Sequence, residues 1–245
     1  MNKLYVGDCL LNMKHVETNS VDMIFVDLCF GTTKAKWDKK IDLNAWWISA
    51  RRILKPNGVV VAKSQFPFTY ELAGSNIKYL RYSWIWEKTS ATEHLNAKRM
   101  PLKAHEDLLV FYHSLPTYNP QKTTGHVRKV SSAHHKRGSK KTELYGDHGL
   151  TSYDSTERFP RSVLKFKSDK QISNYHSTQT PVALIEYMIR TYTNLGDTVM
   201  DTCAGSGTTG VACLNTGRNY ILMELNTDNI PIIEERCGSN HTTYI

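Results

Sequence analysis

A chain of 245 residues, 40% hydrophobic and 22% charged, holds enough apolar material for one large α/β domain, alone or carrying an insertion, and needs no covalent staple. Its five cysteines (Cys9, Cys29, Cys203, Cys213, Cys237) are odd in number and form no C-x-x-C, which speaks against a disulfide framework or zinc ribbon and for a reducing cytoplasm. The net charge is +8, the amino terminus lacks a signal core, and no apolar run is long enough to span a bilayer, so a polyanion is a better expected partner than a membrane.

In chain order, Asp8 reads as a helix N-cap before Leu10 and Leu11. Val21 to Val26 is an apolar strand ending in Asp27; Asp42 caps a helix through Leu54, stopped by Lys55-Pro56-Asn57-Gly58; Val59 to Ala62 is the next buried strand. A helix over about Pro67 to Asn76 and strands around Tyr82 to Trp86 and Leu108 to Tyr112 follow. Trp46, Trp47, Trp84 and Trp86 are expected in the core or on a sheet face. This alternation is the grammar of a mostly parallel sheet covered on both faces.

From Leu115 to about Tyr175 the periodicity disappears, and the stretch reads as an irregular insertion. Lys122, Arg128, Lys129, Lys136, Arg137, Lys140 and Lys141 lie there with no acid between Pro120 and Lys141. That run is suited to phosphate contacts, which supply affinity and salt sensitivity but no sequence choice. Helix grammar returns at Pro181 to Arg190, then come a strand Thr198 to Asp201, a helix to about Asn215 and a strand Tyr220 to Glu224. The ten histidines show no ligand spacing, so no metal is expected; His134 and His135 are read as phosphate-facing or solvated.

Two strand ends carry chemistry. Gly205-x-Gly207-x-x-Gly210 follows one strand and opens a helix, and Glu224 ends the next strand where a ribose-binding acid is expected. Glycines permit the tight turn, helix amides can receive an anionic end, and the carboxylate can accept from ribose hydroxyls. The few residues after Glu224 speak against NAD, whose second mononucleotide half has no room in the usual order. Asp27 lies where open α/β sheets place ligand-handling groups, and Phe30 in a Gly-Thr-Thr loop has little reason to be there unless something stacks on it, such as a flipped-out base.

The order Asp27-Leu28-Cys29-Phe30 first and Ala204-Gly205-Ser206-Gly207 last resembles the β-group of DNA amino-methyltransferases, with its D-P-P-Y tetrad. Gly31-Thr-Thr33 before Lys36-Trp37-Asp38, His176-Ser-Thr-Gln-Thr-Pro181, and Thr208-Thr-Gly-Val-Ala212 before Gly217-Arg218-Asn219 are similar to bacterial and phage members. The resemblance implies a Rossmann-like sheet with helices on both faces, permuted so that a catalytic half (1–114) precedes a cofactor half (176–245), with a basic target-recognition insertion (115–175) between them. It implies S-adenosylmethionine as cofactor and methylation of the exocyclic N6 amine of adenine in DNA, expected to be duplex. Asp27 and the Leu28 carbonyl would accept from the amine and Phe30 would stack on the ring. His176, Thr178, Gln179, Asp201, Cys203, Ala204, Gly205, Ser206, Gly207, Thr208 and Glu224 would line the cofactor, with Asp8 near its adenine. His105-Glu106 and Asn96 to Pro101 resemble segments lining the base pocket. A restriction endonuclease partner and a monomeric or homodimeric state are compatible with this family.

The tetrad departs from the family pattern. Leu28 and Cys29 replace both prolines, Phe30 replaces Tyr, and Asp201-Thr-Cys203 replaces the common D-P-F. Stacking and the carbonyls survive; the stiffness of two locked φ angles does not. Two alternatives stay open: a cytosine-N4 methyltransferase, a group that usually begins its tetrad with Ser, and a catalytically impaired DNA-binding relative. Cys29 as the nucleophile of a carbon-5 cytosine methyltransferase fits poorly, because Asp27 would have no part.

Overall fold

In the computed structural model, which describes residues 2–31, 40–132, 141–142, 146–147, 152–169, 179–238 and 241–244, the apolar runs become strands. They are β1 (Asn2–Val6), β2 (Val21–Asp27), β3 (Leu54–Ser64), β4 (Leu80–Thr92), β5 (Lys103–Tyr112), β6 (Lys129–Ser131), β7 (Lys141–Thr142), β8 (Gly146–Asp147), β9 (Tyr153–Ser155), β10 (Val163–Phe166), β11 (Thr198–Asp201), β12 (Asn219–Glu224) and β13 (His241–Tyr244). The helices are α1 (Cys9–Asn12), α2 (Leu43–Ile53), α3 (Phe68–Ser75), α4 (Val182–Tyr192), α5 (Thr208–Thr216) and α6 (Ile230–Cys237).

Among the described residues, nine strands form one sheet in the order β10-β4-β5-β3-β2-β11-β12-β1-β13. Every neighbouring pair is parallel except those made by β5, which runs against β3 and β4. The carboxyl ends of β1, β2, β3, β4, β11 and β12 therefore open on one edge, and the amino end of β5 joins them there.

Both faces are covered. Met23, Phe25, Val59, Val61, Leu108, Val110, Trp84 and Trp86 point to one face, against Leu184, Ile185, Met188 and Ile189 of α4 and Ala212 and Cys213 of α5. Ile24, Val26, Val60, Ala62, Leu109 and Phe111 point to the other, against Trp46, Trp47, Ala50 and Ile53 of α2 and Phe68 and Leu72 of α3. The period of two along each strand produces this division. Asp42 caps α2 as its position predicts, its carboxylate accepting from the amides of Asn44 at 2.9 Å and Ala45 at 3.1 Å. Because α2 leaves β2 on one face and α5 leaves β11 on the other, the winding reverses between these adjacent strands, where open α/β sheets bind ligands.

Local differences from the sequence expectation have physical causes. Lys55 to Gly58 do not separate helix from strand: β3 starts at Leu54, opposite Val21, and a register shift absorbs these residues before Val59 meets Met23. β4 and β5 outrun their apolar cores because their ladder continues to Thr92 opposite Lys103. Val163–Phe166, inside the stretch read as irregular, is β10 and pairs with Ile85 to Lys88 of β4. This four-residue edge strand is only half buried at alternate positions, so it shows no apolar run.

The chain divides into two units, Met1–Asn119 with Ser162–Ile245, and Pro120–Arg161. The smaller unit is built on two short antiparallel pairs, β6 with β9 and β7 with β8. Among the described residues no helix is long and apolar enough to cross a membrane.

Candidate active site

Asp27 ends β2 in phase with Met23 and Phe25, so its side chain leaves the sheet on the α4/α5 face. Its partner across the parallel ladder is Lys63, in phase with Val59 and Val61. The Lys63 ammonium lies 2.7 Å from Asp27 Oδ2 and 2.8 Å from Glu106 Oε2. Glu106 also pairs through Oε1 with Lys88. Both ammoniums approach the Trp86 ring, at 6.0 Å for Lys63 and 5.5 Å for Lys88. Four neighbouring strands thus supply two acids and two bases on one face of the sheet. Burial raises the Asp27 carboxyl above its ordinary value against the opposing pull of Lys63. Burial also pushes Glu106 upward, but Lys63 and Lys88 outweigh it and hold it below its usual range. For Lys63 the burial penalty is overcome by Asp27 and Glu106, so its affinity for a proton rises.

The rest of the tetrad is anchored from other elements. Leu28 is buried in the core on the α2/α3 face. Phe30 packs partly into the same core, its ring 5.0 Å from that of Phe68 and tilted by 30°. The thiol of Cys203 hydrogen-bonds with those of Cys29 and Cys9; these bonds, with burial, hold it protonated well above the usual thiol range. Thiols from the tetrad, the glycine loop and the start of α1 therefore meet. Thr32, Thr33, Lys36, Trp37 and Asp38 lie outside the described residues.

The glycine loop is held from its own surroundings. Gly205 and Gly207 have φ of 54° and 76°, a left-handed backbone that residues with a side chain rarely adopt. The Gly205 amide donates to Glu224 Oε2 at 2.7 Å, and the Asn226 amide to Oε1 at 2.7 Å. Burial raises the Glu224 carboxyl, and the amides of Asn226 and Gly205 oppose the rise. Asp201 accepts from the Cys203 amide at 2.9 Å and the Thr209 hydroxyl at 2.5 Å. Burial nevertheless pushes its carboxyl up to about 7. Ala204 donates its amide to the Met223 carbonyl at 2.9 Å, tying the loop to β12. Ser206 and Thr208 are buried, and both are clamped by Arg236 of α6.

Asp8 is observed as the α1 N-cap, accepting from Leu10 and Leu11 at 2.8 and 3.2 Å. The preceding Gly7 donates to the Glu224 carbonyl at 2.8 Å, which brings this turn beside the end of β12. Gln179 is 5% exposed, yet neither its amide nitrogen nor its oxygen has a hydrogen-bond partner among the described residues. An unpaired buried amide is costly and fits a site completed by a polar ligand. His176 and Thr178 lie outside the described residues. Asp27, Asp201, Glu224, Asp8 and the glycine loop thus share the carboxyl edge of the sheet.

The basic residues are less uniform than their run implied. Lys122 pairs with Glu157 at 2.9 Å and lies 5.0 Å from the Phe159 ring centre. Arg128 grips Asp154 with two bonds, at 2.8 and 2.6 Å. Lys129 is exposed on β6, and Lys141 falls in β7. Lys136, Arg137 and Lys140 lie outside the described residues. The acidic partners follow Lys141 in sequence, so the run itself gave no sign of them. Lys63, Lys88 and Arg236 were also missed: two lie in strands that each carry a second cation, and one lies in the last turn of α6. The one available signal was a charge, Lys63, continuing an apolar run.

An open, mostly parallel sheet with a nucleoside-type glycine loop at its winding reversal and an acid on the adjacent strand defines a Rossmann-like protein with a cofactor-dependent active site. The chain belongs to a DNA methylase family named for N6 and N4 methyltransferases, which matches residues 21–235. It is 25% identical to the type II methyltransferase M.HpaI of Haemophilus parainfluenzae over 99% of this chain and 76% of that protein. To the type II methyltransferase M2.MboI of Moraxella bovis it is 25% identical over 95% of this chain and 86% of that one. In fold it is similar to M1.HpyAVI in complex with SAM (TM-score 0.68, 22% identity, 97% of this chain and 100% of that chain). It is likewise similar to the cytosine-N4-specific PvuII DNA methyltransferase (TM-score 0.69, 16% identity, 98% and 88%).

Proposed function

We propose that this protein transfers a methyl group from S-adenosylmethionine to the exocyclic N6 amine of an adenine turned out of duplex DNA, as a member of the permuted β-group. The observation that carries this reading is the placement of Asp27 and the Gly205 to Gly207 loop at the carboxyl ends of the adjacent strands β2 and β11, where the winding reverses. An acid in the first tetrad position favours adenine over cytosine. The unpaired, buried amide of Gln179 supports a polar ligand at that residue.

Adenine's amine is a weak nucleophile because its lone pair is delocalised into the ring. The donor supplies a sulfonium-activated methyl group. Asp27, with Oδ2 held by Lys63, offers Oδ1 to one amine hydrogen, and the Leu28 carbonyl accepts the other. These two acceptors draw the nitrogen toward tetrahedral geometry, while the Phe30 ring, backed by Phe68, stacks on the base and sets its plane. When bound, the donor would give up its methyl group to the nitrogen and leave as a neutral thioether, and Asp27 would take the surplus amine proton and pass it to water. Removing the base from the helix costs a few kcal/mol, offset by stacking and by phosphate contacts of the basic unit. A restriction endonuclease acting at the same site is the matching partner in such a system.

The test is incubation with methyl-labelled S-adenosylmethionine and mixed-sequence duplex DNA, followed by digestion to nucleosides. Label in N6-methyl-2′-deoxyadenosine is the expected product. Label in N4-methyl-2′-deoxycytidine moves the assignment to the cytosine N4 amine, and label in neither rejects a transfer activity on DNA.

A further inference from the structure

Lys63 is the least exposed member of the cluster it forms with Asp27, Glu106 and Lys88. It is 4% accessible, against 26% for Asp27, 9% for Glu106 and 11% for Lys88. A lysine at the end of the apolar run Val59–Ala62 gains little stability from its pairings, because desolvating the charges offsets their attraction; an apolar residue of the same length serves a sheet end as well. The cluster is also one-sided. Glu106 and Lys88 lie behind Lys63, and Asp27, in front, is its most accessible member.

We propose that Lys63 is a positioning residue of the transfer reaction: it keeps Asp27 ionised and engages Oδ2, so that Oδ1 is the oxygen presented to the substrate amine, while Glu106 and Lys88 hold Lys63 in place. This role depends on Asp27 being the acceptor of that amine. The groups facing Asp27 are Lys63 from β3, Glu106 from β5, Lys88 from β4 and Asp201 from β11. Burial and the two acids favour the protonated form of Asp27, and the two lysines oppose them, Lys63 most strongly. Without Lys63 the carboxyl takes up its proton at higher pH, and the fraction of competent enzyme falls about tenfold per pH unit below that point.

The experiment is kcat against pH at saturating S-adenosylmethionine and DNA, for the wild-type chain, Lys63→Met, Lys63→Arg and Lys63→Met with Glu106→Gln, with thermal melting and S-adenosylmethionine affinity measured on each. The expected result for Lys63→Met is an acid limb displaced upward by about one pH unit or more, a roughly tenfold or greater loss of kcat at neutral pH, and unchanged cofactor affinity. Lys63→Arg should restore most of the wild-type profile. Should Lys63→Met fail to fold because Asp27 and Glu106 are stranded, the double variant removes the second acid together with the cation and carries a displacement in the same direction, smaller because Glu106 no longer favours the proton on Asp27. A folded variant lacking Lys63 with the wild-type acid limb overturns the proposal. An inactive wild-type chain instead overturns the assigned reaction, so the two failures are distinct.

Discussion

Arg236 and Ser206, thirty residues apart, are joined by two hydrogen bonds: Arg236 Nη1 donates to the Ser206 carbonyl at 2.6 Å and to its hydroxyl at 2.8 Å. The same nitrogen reaches Thr208 Oγ1 at 3.2 Å. A helix that follows Glu224 therefore braces the glycine loop. Charge-assisted bonds of this kind are each worth about 1.5–3 kcal/mol when their loss strands a buried acceptor. Arg236→Met should weaken S-adenosylmethionine binding about tenfold, roughly 1.4 kcal/mol, as read by calorimetric titration. Unchanged affinity would show that the loop keeps its shape without the clamp.

In the proposed reaction, Asp27 and the glycine loop have separate tasks on neighbouring strands. Asp27→Ala should lower methyl transfer by about a thousandfold or more while S-adenosylmethionine binding stays within about threefold. Single-turnover transfer and equilibrium dialysis on the same preparation separate the two. Loss of cofactor binding would place Asp27 in the wrong site.

Asp201 links pH to stability with a definite sign. Its carboxyl is raised by burial to about 7, so the folded state favours the protonated form. The stabilisation is complete below the ordinary carboxylate range near pH 4 and is lost as pH rises through about 7. Asp201→Asn keeps an acceptor for Cys203 and cannot ionise. Relative to the wild-type chain it should gain stability between about pH 4 and pH 8, by an amount on the order of 2–4 kcal/mol. Urea unfolding of both proteins across this range gives the difference directly, and a difference independent of pH would mean that Asp201 ionises as readily folded as unfolded.

Gly210 has no room for a side chain. A Cβ there would meet Cys237 Sγ at 2.7 Å and Leu222 Cδ1 at 2.9 Å. Gly210→Ala should destabilise the fold by about 1–3 kcal/mol through overpacking, and Cys237→Ala in the same chain should recover part of the loss. The midpoint of urea unfolding is the readout; an unchanged midpoint would mean that α5 and α6 shift apart freely.

The unit Pro120–Arg161 carries nine Lys and Arg against four Asp and Glu side chains, a net of +5. Lys129→Ala should reduce the slope of log affinity for duplex DNA against log salt by about one. Lys122→Ala and Arg128→Ala should change it less, because Glu157 and Asp154 already face those charges. Equal slopes for all three variants would mean that DNA displaces both carboxylates.

What the sequence determined by itself was local: the end of β2 at Asp27, the cap at Asp42, the left-handed glycines before α5, and the acid closing β12. Each is written in a few adjacent residues, through alternation along a strand, a short polar side chain before a helix, or the absence of a Cβ. Only the tertiary structure decided which groups surround them. Lys63, Glu106 and Lys88 reach Asp27 because three other strands bring their ends to the same edge in matching register. β10 exists because β4 offers it an open edge. Phe68 meets Phe30, and Arg236 meets Ser206, through the folding of whole elements. Strand order and register are collective outcomes of burying two apolar faces at once, so no short stretch of this chain contains them.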